Sequence, residues 1–236
     1  FTIIAPDLPG HGFTTAPRTA HLSLDGIALA LAMLLEELRM SPVVGVGHGA
    51  GCAILMRMAL AEDSTLRALV GINATLTPPQ SQLWTLLAPA ARVGVRSQHM
   101  AELGRSLESG TLDSTLMSTT GSRLSPSQAA LYGVFLRSQR HMGAVMTVFE
   151  HWDAPRLQRD LERLVIPVTL AVGLHDSWVP PRDADRIAMR LAEARIIEIR
   201  EGGNFAHEDA PAKVESIVVE SDRKAGILAG VQTVAA

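Results

Sequence analysis

Apolar residues along this chain fall into two periods that alternate. A run of period-3.6 pattern places Leu24, Ile27, Leu31, Leu34, Leu35 and Leu38 on one side of a helix, which Ser23 or Asp25 can cap and which the pattern carries to about Arg39. Short β-branched runs predict strands at 42–46 and 66–72, with a second helix over 50–62 between them. Strand, helix and strand in this order predict a parallel sheet, whose ligands gather at the carboxyl ends of the strands. Ahead of these, Phe1-Thr2-Ile3-Ile4-Ala5 reads as a buried strand already under way, without an initiator methionine. That start leads us to expect that the N-terminal part of a longer protein is absent.

From Pro78 to about Trp152 the strand signal stops. Helical patterns there carry Met100, Met117, Met142 and Met146 among leucines, broken near Pro89, Gly110, Gly121 and Pro126. An all-helical insertion between strands predicts a cap, and flexible thioethers suit either its core or an apolar pocket. The sheet pattern resumes at Leu164–Val172, followed by a helix over 182–193, a strand from Arg195 to Ile199 and a final helix. The expected organisation is therefore a first part of the core over 1–77, a cap over 78–152, a second part of the core over 153–220, and a loosely packed tail over 221–236.

Composition narrows the classes of function. The 236 residues suffice for one large α/β domain, and a net charge of −3 gives no electrostatic case for nucleic acid. The longest apolar run, Gly26 to Leu35, is shorter than the ~20 residues a membrane span needs. One cysteine, Cys52, excludes an internal disulfide and fits a reducing compartment. With no secretory leader pattern at the start, the expected location is cytoplasmic.

The chemistry concentrates in three turns. Val43-Val44-Gly45-Val46-Gly47-His48-Gly49-Ala50-Gly51-Cys52 spells strand, sharp turn and helix, with Gly47 and Gly51 flanking an apex at Gly49. This is the spacing of the G-x-S-x-G nucleophile elbow, with glycine where the serine stands. The same residues, as Gly45-x-Gly47-x-x-Ala50, also fit a dinucleotide fingerprint. That reading needs an acidic residue at the end of the next strand, which ends instead in Asn73. The second turn, Gly173-Leu174-His175-Asp176-Ser177-Trp178-Val179-Pro180, matches G-x-x-D-x-x-V-P and offers Asp176 as an acid that orients an imidazole. The third, Gly202 to Pro211, follows G-x-G-H-x-x-H-E-x-x-P, with Asn204 at the base position and only the second histidine, His207, retained. His48, Cys52, His141 and His151 have structural readings that outweigh catalytic ones. No metal-ligand or cofactor pattern stands out.

On these motifs the chain resembles the α/β-hydrolase superfamily. The segments Pro6-Asp-Leu-Pro-Gly-His-Gly-Phe-Thr, Leu24-Asp-Gly-Ile-Ala, Val46-Gly-His-Gly-Ala-Gly, Gly71-Ile-Asn-Ala, Leu136-Arg-Ser-Gln-Arg-His-Met-Gly-Ala, Trp152-Asp and Leu157-Gln-Arg-Asp-Leu look more narrowly like the magnesium-chelatase accessory proteins of bacteriochlorophyll biosynthesis, the BchO type. The likeness runs from residue 1 to about residue 219. It implies an α/β-hydrolase fold, mostly parallel with helices on both faces and a helical cap, and a role accessory to magnesium insertion into protoporphyrin. A tetrapyrrole ligand or the chelatase subunits are the partners it implies. Serine-hydrolase turnover is not expected, because Gly49 carries no nucleophile and Asn204 cannot accept its proton. Two alternatives are a small-ester or amide hydrolase in which His207 and Asp176 activate water, and a dinucleotide-binding oxidoreductase.

Overall fold

The computed structural model describes residues 1–16, 18–76, 119–224 and 226. Helix α1 spans Leu24–Glu37, and Ser23 caps it by accepting the Gly26 N–H, which satisfies one of the donors a helix start leaves unpaired. Strand β1 (Val44–His48), helix α2 (Ala50–Ala59) and strand β2 (Ala68–Ile72) follow. After the undescribed stretch come helices α3 (Pro126–Leu136), α4 (Gln139–Glu150) and α5 (Ala154–Asp160). Strand β3 (Val168–Gly173), helix α6 (Arg182–Ala188), strand β4 (Ala194–Ile199), the short helix α7 (Ala206–Asp209) and helix α8 (Pro211–Lys224) complete the elements of the described residues.

The four strands lie in the order β1-β2-β3-β4, every pair parallel. Parallel neighbours need crossover connections, and helices supply them on both faces. On one face Leu69, Val168, Leu170 and Val172 pack with Ile27, Cys52, Met56, Leu157, Leu161 and Ile187. On the other, Val70, Ile72, Ala171 and Ile199 pack with Ala206, Ala210, Val214 and Ile217. Strands β2 and β3, covered on both sides, are buried at every position. That explains their nearly continuous apolar sequence, with Thr169 the one polar side chain in the two strands.

Several expected boundaries shift. The N-terminal residues 1–5 form no strand, and Phe1 and Ile3 stand 80% and 84% exposed. A strand exists only through a neighbour's backbone groups, and among the described residues β1 remains at the edge of the sheet with Val46 exposed. In α1, Leu34 and Leu38 are exposed while Ala28 is buried, so the buried stripe is narrower than the leucine pattern. The strand expected from Leu164 begins only at Val168, because Leu161–Arg163 forms a 3-10 turn and Pro167 has no N–H to donate. The chain also stays packed beyond 220: Ser221 and Asp222 are buried, and the Ser221 hydroxyl donates to Thr169 Oγ1 across the α8–β3 contact. Of the cap expected over 78–152, residues 78–118 lie outside the described residues.

Candidate functional site

Gly49 sits between β1 and α2 with φ 51° and ψ −116°, a conformation that glycine reaches freely and other residues only under strain. Its N–H donates to the Ile72 carbonyl at 2.9 Å, which fixes the turn to the end of β2. A Cβ on Gly47 would lie 2.5 Å from the Cys52 nitrogen, so only glycine lets strand and helix meet this closely. At Gly49 itself a Cβ would meet nothing within 4 Å. Among the described residues the apex faces open space.

Asp176, buried in the loop after β3, receives four donors. Its Oδ1 accepts from the backbone N–H groups of Trp178 and Val179 at 2.8 and 2.9 Å. Its Oδ2 accepts from the side-chain amides of Asn204 at 3.0 Å and Asn73 at 2.6 Å. Burial raises the Asp176 pKa above the usual carboxylate value, and these four hydrogen bonds oppose that rise. Asn73, the residue after β2, lies in the left-handed region at φ 45°, and its Oδ1 is buried without a partner among the described residues. The motif reading assigned Asn73 no part in the site. The signal was present as an asparagine at a strand's carboxyl end, a residue type that tolerates this conformation.

Asn204 therefore occupies the position from which an imidazole would meet Asp176, and its amide makes the bond. Its backbone N–H donates to the Thr120 carbonyl at 2.9 Å. Its carbonyl accepts from His48 Nε2 at 2.8 Å. His207 lies in α7 and reaches elsewhere: its ring is 4.8 Å from that of His48, and its Nε2 is 3.5 Å from the Tyr132 hydroxyl. Tyr132 in turn donates to Glu208 at 3.0 Å. None of the four donors on Asp176 comes from His207, and no direct bond joins the two among the described residues. Burial lowers the pKa of both His48, to about 4, and His207.

The remaining candidates are structural. Cys52 is buried in α2 against Gly71, and burial pushes its thiol up to about 12, far from a thiolate nucleophile. His151 ends α4 with Nδ1 on the Thr147 carbonyl. His141 Nδ1 accepts the Gly12 N–H at 3.3 Å. A cleft of about 560 Å³ is lined by Leu76, Gln158, Glu162, Asp183, Arg186 and Arg190 among others; none of Gly49, Asp176 and Asn204 lines it. The apolar pocket expected above the elbow would involve residues outside the described ones. Among the described residues no group of three or more His, Cys, Asp or Glu side chains is placed to hold a metal ion, and no helix is long and apolar enough to cross a membrane.

A parallel sheet with a glycine-flanked elbow, and an acid and a substituted base position on the two loops after β3 and β4, defines the class. Residues 1–217 match the model of the Alpha/beta hydrolase family, and the chain belongs to that family. Within it, the chain is 28% identical over 221 residues to the magnesium-chelatase 30 kDa subunit of Rhodobacter capsulatus, covering 93% of this chain and 77% of that protein. A shorter match, 44% over 68 residues, links 29% of this chain to 25% of lipase LipV of Mycobacterium tuberculosis. Among solved structures, an α/β hydrolase fold protein from Burkholderia ambifaria superposes with a TM-score of 0.72 at 20% identity, over 90% of this chain and 78% of that one. An esterase from Exiguobacterium antarcticum gives 0.67 at 15% identity, over 90% and 78%. These comparisons do not favour the dinucleotide reading, and Asn73, where the ribose acid would stand, is bound to Asp176.

Proposed function

We propose that this chain is an accessory protein of magnesium insertion into a tetrapyrrole, binding the macrocycle or the chelatase subunits without serine-hydrolase turnover. The pairing of Asp176 with the amide of Asn204 opposite a bare Gly49 is the observation that carries it. An acyl transfer needs a nucleophile and an adjacent base; Gly49 has no side chain and the Asn204 amide cannot accept a proton. Similarity to the Rhodobacter capsulatus magnesium-chelatase subunit extends over 93% of the chain, which supplies the tetrapyrrole context. In this reading Gly49 and Asn204 are the emptied nucleophile and base positions, and Asp176 is a structural remnant that ties three loops together. A cytoplasmic location follows from the same context.

Two measurements test the proposal. Activated esters should not be turned over above the buffer rate, and protoporphyrin should perturb its own absorbance on binding. Ester turnover blocked by a serine-directed covalent inhibitor would overturn the non-hydrolytic part. A flat porphyrin titration, together with no association with chelatase subunits, would overturn the rest.

A further inference from the structure

Away from the elbow, the loop through residues 7–13 meets helices α3 and α4 in a row of three rings. His11 and His141 lie 5.0 Å apart, edge to face, and Phe135 lies 5.2 Å from His141. Three contacts tie the row together. The Phe13 N–H donates to Asp7 Oδ2 at 2.9 Å, Arg140 donates to the Gly12 carbonyl, and Gly10 packs against Ala144 so tightly that a Cβ there would lie 2.5 Å from the alanine methyl. Around it the surface is apolar: Phe13 is 92% exposed, and Phe135 and Leu131, one turn apart on α3, are 38% and 67% exposed.

The hydrogen bonds fix the tautomers of the two histidines in opposite senses. His141 accepts the Gly12 N–H on Nδ1, so its proton is on Nε2 and it has no lone pair to offer there. His11 Nδ1 lies 2.9 Å from the Pro9 carbonyl, an acceptor only, so Nδ1 carries the proton and Nε2 a free lone pair. His11 is half-buried, and among the described residues nothing bonds that nitrogen. His151 has the same tautomer, but it is exposed at the end of α4 with no described ring against it. Among the described histidines, lone pair, flat aromatic neighbours and exposed apolar surface coincide at His11.

A magnesium ion inside a tetrapyrrole has four equatorial positions filled by pyrrole nitrogens and takes a single neutral donor on one face. Such a ligand needs one imidazole and an apolar shelf, not a cluster of carboxylates and histidines. We propose that His11 is the axial ligand for the metal of a magnesium tetrapyrrole that lies on the His11–His141–Phe135 row, with the exposed Arg140 guanidinium beside it for a carboxylate side chain. The inference rests on the tetrapyrrole reading above and adds to it a ligand atom and a preference for the metallated macrocycle.

The test uses the full chain titrated with magnesium protoporphyrin and, separately, with metal-free protoporphyrin. Wild type should bind the magnesium form more tightly and shift its main absorbance band as a nitrogen donor joins the metal. His11→Ala should weaken the magnesium form by about tenfold or more, the scale on which metal sites respond to losing a supporting group, and leave the metal-free form within about twofold. Added imidazole should restore the band shift in His11→Ala, which a merely structural histidine would not allow; thermal melts confirm that the variant is folded. Equal weakening of both porphyrins, or no weakening of either, overturns the axial role while the tetrapyrrole reading stands. Failure of wild type to bind either porphyrin overturns the axial role and the macrocycle-binding half of the reading, leaving the accessory role to rest on association with the chelatase subunits.

Discussion

At Gly49 the backbone keeps the shape of an elbow while the side chain is gone, and the two effects of restoring it can be separated. A Cβ there meets nothing within 4 Å among the described residues, and the expected cost of Gly49→Ser is the strain of φ 51°, about 1–3 kcal/mol. A lowered midpoint of denaturant unfolding measures it. Gly49→Ser alone should give no esterase, and neither should Asn204→His alone. The pair together should hydrolyse an activated ester, because a histidine at 204 reaches Asp176 Oδ2 from where the Asn204 amide now donates at 3.0 Å. Failure of the pair, with Asp176 still in place, would mean that 204 is not the base position. Asn73 invites a second comparison. Asn73→Ala removes a donor from a buried carboxylate, a loss of about 1.5–3 kcal/mol, and Asn73→Gly removes the same bond while relieving a left-handed backbone that costs about 1–2 kcal/mol. The glycine variant should therefore melt higher than the alanine variant. Gly49, Asp176 and Asn204 were legible because each stands in a motif of fixed spacing. Asn73 was not, since its partner is 103 positions away and no local pattern announces such a bond.

Among the elements, the carboxyl-end loops are welded by glycines whose missing side chains are filled by backbone. A Cβ on Gly203 would lie 2.2 Å from the Gly121 carbonyl carbon, one on Gly173 would lie 2.3 Å from the Gly203 oxygen, and one on Gly121 would run into the His175 carbonyl. Backbone cannot give way as a flexible side chain can. Gly203→Ala should destabilise by about 1–3 kcal/mol or more and push Asn204 off Asp176, whereas Gly51→Ala, with open space around its Cβ, should be nearly silent in the same unfolding experiment. Periodicity made the type and order of α1, β1, α2, β2, β3, α6 and β4 legible, because each carries its own apolar period. It could not place residues 1–5, whose apolar run needs a neighbouring strand, nor the ends of helices set by caps. Ser125, which forms a reciprocal capping box with Gln128, starts α3 in a region where the pattern showed only a break near Pro126.

For the whole molecule, histidines buried in the neutral form set how stability responds to acid. His48 is pushed down to about 4 chiefly by burial, then by the neighbouring His207, with the Asn204 carbonyl opposing. In an unfolded chain a histidine takes its proton near pH 6.5, so below that pH the unfolded state binds a proton that the native state refuses. Stability is full above pH 6.5 and falls as pH drops towards 4, by up to roughly 3 kcal/mol for His48 if nothing compensates. His141 and His207, also shifted down by burial, act in the same direction. Asp176 acts oppositely: its raised pKa lets the native state take up a proton before the unfolded chain does, so acidification through that pKa returns some stability. Asp160, tied to Arg57 in an ion cluster whose bonds of 2.5 to 2.7 Å join α1, α2 and α5, is held below the usual carboxylate value by the Arg57 guanidinium and so titrates below this window. The histidines therefore govern the interval from pH 6.5 to 5. Denaturant unfolding over that interval should show a falling free energy, and His48→Gln, which keeps an N–H donor for the Asn204 carbonyl but cannot titrate, should make the fall shallower. An unchanged slope in His48→Gln would show that His48 is protonated in the native state as readily as in the unfolded one, which its contacts with Asn204, Phe205 and His207 argue against.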